Sequence, residues 1–309
     1  MRAWRHPQFL LLLLATVLLA ATFAVPHVSL KRPSYRYVLV FDISQSMNVA
    51  DVDAKVDKDA APLSRLEFAK HTALDAMKRL PCGTELGLAL FSGHRAFLMI
   101  TPIELCANFV ELSSMLASID WRMTWEERSE VAKGVFRSLE LLRALPDTTR
   151  LVFLTDGHEA PPINPDVKPE FTGEVGAVRG LLVGVGGPLP VPIPKFDAEG
   201  KQHGFWKAED VMQVDTFRAD QQQREGAAAA AGTEHLSSLK EDYLRALAAE
   251  TGLGYLRLAD SVALSQAMTG KAMGIPRTQP TDIRWLLALA ALLAFIASLA
   301  RNRAIHATD

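Results

Sequence analysis

The feature that most constrains this chain is an apolar segment that ends in a cluster of short, oxygen-bearing side chains. Residues 37–41, Y-V-L-V-F, are β-branched or aromatic almost throughout and predict a buried strand. Asp42, Ser44 and Ser46 follow at every second position. Carboxylate and hydroxyl oxygens, without Cys or His, suit a hard divalent cation such as Mg²⁺. The same pattern is also typical of a strand-to-loop transition with a helix cap, so both interpretations stay open at this point.

Apolar segments of strand length alternate with amphipathic segments along the chain. The other predicted strands are 86–91, 96–100, 150–155, 180–186 and 255–258, and the predicted helices are 64–80, 102–119, 129–145, 239–251 and 261–268. A tight turn at 92–95 joins two strands as an antiparallel hairpin. We therefore expect an α/β, Rossmann-like, mostly parallel sheet with one antiparallel edge hairpin and helices on both faces. This domain is expected to span 34–269, with an irregular excursion at 187–235.

A second aspartate supports the metal interpretation. Asp156 directly follows the apolar strand 150–155, as Asp42 follows the first strand. In open parallel sheets, ligand sites lie beyond the carboxyl ends of the strands. Two acids therefore reach the same rim of the sheet from independent strands.

An acidic stretch follows the first strand. Asp51, Asp53, Asp57 and Asp59 lie within the polar segment 48–62. Their order lacks the glycine and the closing glutamate of an EF-hand calcium loop. We predict a solvated loop here.

Both ends of the chain are apolar. Residues 1–27, with a basic start, predict a signal anchor or a signal peptide, and we favour the anchor. Residues 285–300 predict a second transmembrane helix, preceded by a linker at 270–284 and followed by a tail at 301–309. The signal-like start favours export of the middle domain. We therefore expect the chain in a bacterial inner membrane with this domain in the periplasm.

The chain has two cysteines, Cys82 and Cys106, which flank the predicted hairpin. Both are expected at the rim of the sheet opposite the two aspartates. In an oxidising compartment they can form a disulfide, whereas in the cytosol they would be two buried thiols.

Composition and motifs argue against several function classes. The net charge of −2 gives no sign of nucleic-acid binding. The chain has no G-x-S-x-G elbow, no Walker A loop and no H-E-x-x-H spacing, so we expect no enzyme. The enzymatic alternative is a metal-dependent hydrolase that uses Asp42 and Asp156.

The two aspartate turns resemble those of von Willebrand factor type A (VWA) domains. The matching residues are D-I-S-Q-S from Asp42 and L-T-D-G from Leu154. The resemblance implies a metal-ion-dependent adhesion site (MIDAS) that is completed by a hydroxyl on a middle loop. Ser129, which opens S-E-V-A-K-G, matches that position, and Thr124 is its rival. It also implies Mg²⁺, or Ca²⁺ or Mn²⁺, and a partner protein that offers a carboxylate to the metal.

The layout also resembles two groups of membrane-anchored bacterial proteins. One is the BatA-like group, which works beside a MoxR-type ATPase. The other is the MxaL-type accessory family of methanol dehydrogenase clusters, through F-D-I-S-Q-S-M-N-V, L-P-C-G, S-E-V-A-K-G and L-V-F-L-T-D-G-H-E-A-P-P. This second resemblance implies maturation of, or calcium insertion into, a periplasmic methanol or alcohol dehydrogenase, with that enzyme or its accessory proteins as partners. The alternative is a structural or sensory scaffold that works with the ATPase in envelope stress tolerance.

Overall fold

The structure of the protein is a computed structural model, which describes residues 7–24, 27–52, 62–126, 128–146, 148–163, 168–197, 199–210 and 233–306. It divides into two compact units. The larger is Ser34–Gly274, and the smaller consists of Met1–Pro33 with Ile275–Asp309.

The elements are numbered here in chain order within the described residues. The strands are β1 His27–Ser34, β2 Arg36–Asp42, β3 Glu85–Ser92, β4 Arg95–Glu104, β5 Arg150–Thr155, β6 Gly180–Gly184, β7 Val191–Pro192, β8 Pro194–Phe196, β9 Gln202–Phe205, β10 Leu236–Ser237, β11 Gly254–Arg257 and β12 Ile275–Asp282. The α-helices are α1 Pro7–Ala24, α2 Arg65–Met77, α3 Phe109–Ser118, α4 Val131–Arg143, α5 Glu241–Thr251, α6 Ser261–Met268 and α7 Arg284–His306. Short 3₁₀ helices lie at Gln45–Asn48 and Trp121–Met123.

A six-stranded sheet forms the centre of the larger unit. Its strand order is β11-β6-β5-β2-β3-β4, and all neighbours are parallel except β3 and β4. This arrangement confirms the predicted α/β class, the mostly parallel sheet and the antiparallel hairpin at its edge.

Helices cover both faces of the sheet, which explains the uninterrupted apolar run in β2. Tyr37, Leu39 and Phe41 point into one core, which includes residues of α2, α3 and α6. Val38 and Val40 point into the other, which includes residues of α4 and α5. A strand that is buried on both faces has no polar side, so its sequence reads as continuous hydrophobicity.

The structure corrects two predicted boundaries. The helix predicted at 102–119 begins only at Phe109, because β4 continues to Glu104. Pro102 is compatible with this longer strand, since β4 is at the edge of the described sheet and a proline there interrupts no second ladder. The helix predicted from 129 begins at Val131, because the backbone of Ser129 is engaged in β-bridges.

Secondary structure also occurs where we expected none. The described part of the excursion at 187–235 contains β7, β8 and β9, and β10 follows it at Leu236–Ser237. The predicted linker at 270–284 contains β12, which pairs with β1.

The smaller unit brings together the two terminal helices. α1 packs against α7, and β1 pairs with β12. In the part of the chain that the structure describes, no helix combines the length and the apolar character that crossing a membrane requires. The described part of the predicted signal anchor or signal peptide at 1–27 contains α1, and the predicted transmembrane helix at 285–300 lies within α7.

A disulfide joins Cys82 to Cys106. The two Sγ atoms are 2.05 Å apart and the Cα atoms 5.3 Å apart. Cys82 precedes β3 and Cys106 follows β4, beside the paired residues Glu85 and Glu104. The bond therefore lies at the rim opposite Asp42, as expected from the hairpin.

Candidate metal centre

Asp42 is the last residue of β2, and its carboxylate is held by groups from two adjacent strands. Its Oδ1 accepts the backbone N–H of Ser44 at 2.9 Å, and its Oδ2 accepts the hydroxyl of Thr155 at 2.6 Å. The side chain is 0% exposed. Because Thr155 ends the neighbouring strand β5, the sheet itself fixes the orientation of this carboxylate.

Ser44 and Ser46 place two buried hydroxyls next to each other in the following turn. Their Oγ atoms are 3.3 Å apart. Ser44 is the N-cap of the 3₁₀ helix, but its side chain makes no capping hydrogen bond within the described residues. A helix cap therefore does not account for this hydroxyl.

The middle loop brings Ser129 to the same edge of the sheet. Its backbone N–H donates to Ala160 O at 2.8 Å, and its own carbonyl accepts the N–H of Ala160 at 2.7 Å. On its other side it bridges to Gly93, at the tip of the β3–β4 hairpin. Its hydroxyl is buried, at 3% exposure for the residue, and has no hydrogen-bond partner among the described residues. A buried polar atom of this kind costs free energy unless a ligand satisfies it.

Thr124, the rival candidate, has a hydroxyl that is already engaged. It donates to Glu126 O at 2.9 Å and lies 2.6 Å from the Oγ of Ser92. These contacts fasten the loop to the hairpin, so the geometry favours Ser129 as the ligand.

Asp156 has a cationic partner that the sequence did not reveal. A guanidinium nitrogen of Arg65 lies 2.5 Å from its Oδ2, which also accepts the hydroxyl of Ser237 at 2.9 Å. Its Oδ1 accepts the backbone N–H of His158 at 2.9 Å. Arg65 also pairs with Asp51, through contacts of 2.9 and 2.6 Å.

The predicted solvated acidic loop is therefore wrong at Asp51. Its side chain is only 10% exposed, and its Oδ2 also accepts the backbone N–H of Gly187 at 2.9 Å. The side chain of Asp51 is largely buried because it pairs with the guanidinium of Arg65, and a buried cation needs anionic partners. Asp53, Asp57 and Asp59 lie outside the described residues.

The two aspartates differ in their electrostatics. Burial, together with the nearby Asp156, raises the pKa of Asp42 to about 7. Burial also acts to raise the pKa of Asp156, but the positive charge of Arg65, together with His158 and the hydrogen bond from Ser237, outweighs it and lowers the pKa below its ordinary value. Asp156 is therefore ionised with its own counter-charge, whereas Asp42 has no cation beside it in the described structure.

Two residues that follow Asp156 are also buried. His158 is only 6% exposed, and burial lowers its pKa. Glu159 accepts the backbone N–H of Ala132, at the start of α4, at 2.8 Å and also accepts the hydroxyl of Tyr243. Burial raises the pKa of Glu159 to about 7. These side chains support the loop that carries Asp156.

An aromatic pair lies on the hairpin and the middle loop. Phe97 is 62% exposed and Trp125 is 46% exposed, and their rings meet edge to face with centroids 6.5 Å apart. Trp121, at the start of the same loop, instead packs on Phe196, with centroids 5.2 Å apart.

The residues present fit a hard divalent cation. In the described residues no group of three or more His, Cys, Asp and Glu side chains could hold a metal ion. A site of two carboxylates and three hydroxyls does not need such a group, and it offers only oxygen atoms, which Mg²⁺, Mn²⁺ and Ca²⁺ prefer. The unpartnered hydroxyl of Ser129 is the observation that tests this fit most directly.

Comparisons with known proteins found sequence relatives and solved structures that are similar to this chain. No protein-family profile matches the chain. A UPF0353 protein of Mycolicibacterium paratuberculosis is 27% identical over 303 residues, which cover 90% of this chain and 81% of that protein. A UPF0353 protein of Mycobacterium sp. strain KMS is 29% identical over 174 residues, or 53% of this chain and 47% of that protein. The chain thus spans about half the length of this relative.

The solved structures similar to this chain include two Bacteroides proteins. An aerotolerance-related membrane protein of Bacteroides fragilis is 21% identical, with a TM-score of 0.49, covering 75% of this chain and 96% of that one. BatB of Bacteroides thetaiotaomicron is 18% identical, with a TM-score of 0.49, covering 76% of this chain and 95% of that one. A von Willebrand factor type A protein of Catenulispora acidiphila is 11% identical, with a TM-score of 0.39, covering 86% of this chain and 46% of that one.

Proposed function

We propose that this chain is a non-enzymatic, metal-dependent protein-binding module. Asp42, Ser44, Ser46 and Ser129 hold a divalent cation, Mg²⁺ or else Ca²⁺ or Mn²⁺, with Asp156 beside them. When bound, the cation supplies a Lewis-acidic position that accepts a carboxylate from a partner protein. The protein residues orient and desolvate this position, and they transfer no proton to a substrate.

The unpartnered hydroxyl of Ser129 is the observation that carries this proposal. A loop residue with backbone bonds on both sides presents a buried donor atom that nothing in the described chain uses. Asp42 adds a carboxylate whose pKa is raised to about 7 by burial and by Asp156, and a dication would relieve both effects. Most buried polar groups in proteins are paired, so these two groups together favour a ligand at this rim.

The proposed client is a periplasmic methanol or alcohol dehydrogenase, or one of its accessory proteins. The sequence stretches around Asp42, Ser129 and Asp156 support this pathway through their resemblance to the accessory family of such dehydrogenases. The chain would assist maturation of the enzyme, including calcium insertion. Its proposed location is the bacterial inner membrane, with the larger unit facing the periplasm.

A second candidate function is a membrane scaffold that works with a MoxR-type ATPase in envelope stress tolerance. The observation that favours it is the smaller unit, in which α1 packs on α7 and β1 pairs with β12. Such a unit would couple the two ends of the chain to a partner, whether or not the metal centre binds anything.

A double variant, Ser44→Ala/Ser46→Ala, distinguishes the two functions. The matched control is Ser113→Ala/Ser118→Ala, which removes two exposed hydroxyls of α3 that bond only to their own helix backbone. We expect the site variant, but not the control, to lose Mg²⁺ binding in calorimetry and to lose dehydrogenase activity and calcium content in cells. The level of the variant in the membrane fraction should be unchanged. Normal maturation with a metal-free variant would refute the client-binding role and favour the scaffold.

A further inference from the structure

Arg65 is a fully buried arginine beside the candidate metal centre. It is the first residue of α2, directly after the N-cap Ser64, and it is 0% exposed. A cation at a helix N-terminus opposes the helix dipole, and a buried charge is costly to desolvate. Both costs need compensation, and the contacts of its guanidinium supply it.

The guanidinium connects separate parts of the rim. Its Nε and Nη2 atoms pair with the two oxygens of Asp51, at 2.9 and 2.6 Å. Its Nη1 atom contacts Asp156 Oδ2 at 2.5 Å and the hydroxyl of Ser237 at 2.6 Å. A longer contact of 3.4 Å reaches the backbone carbonyl of Ser46, inside the first metal loop. The planar guanidinium bonds two carboxylates in different directions, which a lysine side chain cannot do.

Asp156 Oδ2 is thereby occupied by the chain itself. It accepts from Arg65 and from Ser237, while Oδ1 accepts the backbone N–H of His158. Asp42 differs, since its carboxylate accepts a backbone N–H and neutral hydroxyls, and no guanidinium contacts it among the described residues. One aspartate is thus available to a cation and the other is held back.

We propose that Arg65 is a positioning residue of the metal centre, which withholds Asp156 Oδ2 from the cation and cancels its charge, so that the cation stays receptive to a carboxylate of the partner. The inference rests on the proposed metal-dependent function and specifies how the same site favours an anionic ligand. The rim carries three carboxylates, Asp42, Asp51 and Asp156, and one guanidinium, which pairs with the last two. With a dication bound, the three negative charges are balanced by the dication and the guanidinium. Without Arg65 one negative charge is in excess and repels an incoming carboxylate.

The backbone nearby leaves space for this arginine. Gly186 has a φ of +119°, and a Cβ at this position would lie 2.5 Å from Nε of Arg65. A glycine is therefore required both by its conformation and by the close approach of the guanidinium.

The test uses the full-length protein with Mn²⁺ and acetate as probes. Arg65→Gln removes the charge at similar length, and Arg65→Lys keeps the charge without the fork. Ser237→Ala removes the second donor to Asp156 Oδ2 with little loss of volume. The control is Arg150→Gln, which removes another buried guanidinium, at the opposite end of β5 from Asp156.

For Arg65→Gln we expect about tenfold tighter Mn²⁺ binding and about tenfold weaker acetate binding to the loaded protein. Proton relaxation should show fewer water molecules on the ion, by about one, as Asp156 takes a position of its own. Ser237→Ala should shift all three quantities in the same direction by less. Arg65→Lys should retain acetate binding, and Arg150→Gln should match the wild type in all three.

These measurements separate a positioning role from a structural one. A folded Arg65→Gln protein with wild-type water number and acetate affinity overturns the inference, and so does parallel loss of Mn²⁺ and acetate. If Arg65→Gln shows no cooperative melting, the Ser237→Ala result decides alone. Wild-type protein that binds no Mn²⁺ refutes the proposed function itself. Mn²⁺ binding that is lost in Ser44→Ala/Ser46→Ala but insensitive to Arg65 removes only the role of the arginine.

Discussion

At the scale of single residues, Ser129 and Thr124 show how two hydroxyls of one loop divide their tasks. The hydroxyl of Thr124 bonds to the hairpin and to its own loop, whereas that of Ser129 is buried without a partner in the described residues. The first stabilises the loop, and the second is left for a ligand. Removing each hydroxyl should therefore have opposite consequences.

We expect Ser129→Ala to weaken Mg²⁺ binding by about tenfold, since a ligand oxygen is lost. The metal-free variant should be as stable as the wild type or more so, because an unsatisfied buried hydroxyl is gone. Thr124→Ala should instead lower the free energy of unfolding by about 1–2 kcal/mol and leave the Mg²⁺ affinity unchanged. Calorimetry and thermal melting of the two variants check this. Reversed results would make Thr124 the ligand.

Glu159 predicts a pH dependence of stability for the metal-free protein. Burial raises its pKa to about 7, above the ordinary value of a glutamate in the unfolded chain. Between these two values the folded state binds more protons than the unfolded state, so stability falls as pH rises through this window and levels off above about 7. The contribution is of the order of 3 kcal/mol.

We therefore expect Glu159→Gln to flatten the dependence of the unfolding free energy on pH between about 4.5 and 7. Chemical denaturation at a series of pH values measures it. The matched control is Glu140→Gln, an exposed side chain of α4 with a surface ion pair. An equally steep fall in both variants would contradict the assignment to Glu159.

Sequence reasoning located the ligand candidates and missed the arginine for a physical reason. Asp42, Ser44 and Ser46 form a local pattern after one strand, so three neighbouring positions carry the signal. Arg65 pairs with carboxylates 14 and 91 residues away, and no short pattern reports such contacts. The available signal was a cation directly after a helix N-cap, where the dipole disfavours it.

At the scale of elements, the hairpin β3–β4 makes a specific contact at each of its ends. Its turn contacts the loop of Ser129, and its open end is closed by the disulfide Cys82–Cys106. The sequence predicted the hairpin itself, because two short apolar runs flank a glycine-containing turn. It did not predict the length of β4, since Pro102 resembles the start of a helix as much as a residue of an edge strand.

The disulfide should stabilise the larger unit through its loop of 24 residues. We expect Cys82→Ser/Cys106→Ser to lower the free energy of unfolding by about 3 kcal/mol, because the unfolded chain gains the freedom of that loop. Denaturation of wild type and variant, each with and without reductant, measures the difference. Reductant should affect only the wild type. An unchanged midpoint after reduction would show that the thiols are not paired in the protein.

At the scale of the whole molecule, the chain consists of two units, and the sequence predicts the fold of one better than that of the other. The larger has a repeated alternation of strands and helices, which predicted its class and its sheet. The smaller is built from segments distant in sequence, β1 with β12 and α1 with α7. The sequence analysis did not predict the pairing of β1 with β12. Each strand shows little alternation of apolar and polar residues, and the two strands lie near opposite ends of the chain.

The larger unit should fold without the smaller one. It contains the six-stranded sheet, both hydrophobic cores, the disulfide and every candidate ligand. We expect a fragment of residues 34–274 to unfold cooperatively and to bind Mg²⁺ as the full chain does. Thermal melting and calorimetry test this, with Ser44→Ala/Ser46→Ala in the same fragment as the control. A fragment without a cooperative transition would show that the terminal segments are part of its fold.

The backbone bridges of Ser129 have a consequence for the speed of metal exchange. Because Gly93 and Ala160 hold this residue from both sides, the hydroxyl is in place before any cation arrives. In the proposed metal site, the backbone of Ser129 is therefore already ordered when an ion enters, so the entropic cost of ordering it falls on folding and not on metal binding. Loss of water from the ion then remains as the slow step, and Mg²⁺ releases its water reluctantly. Entry of the ion should accordingly follow its own dehydration rate and not the motion of the chain.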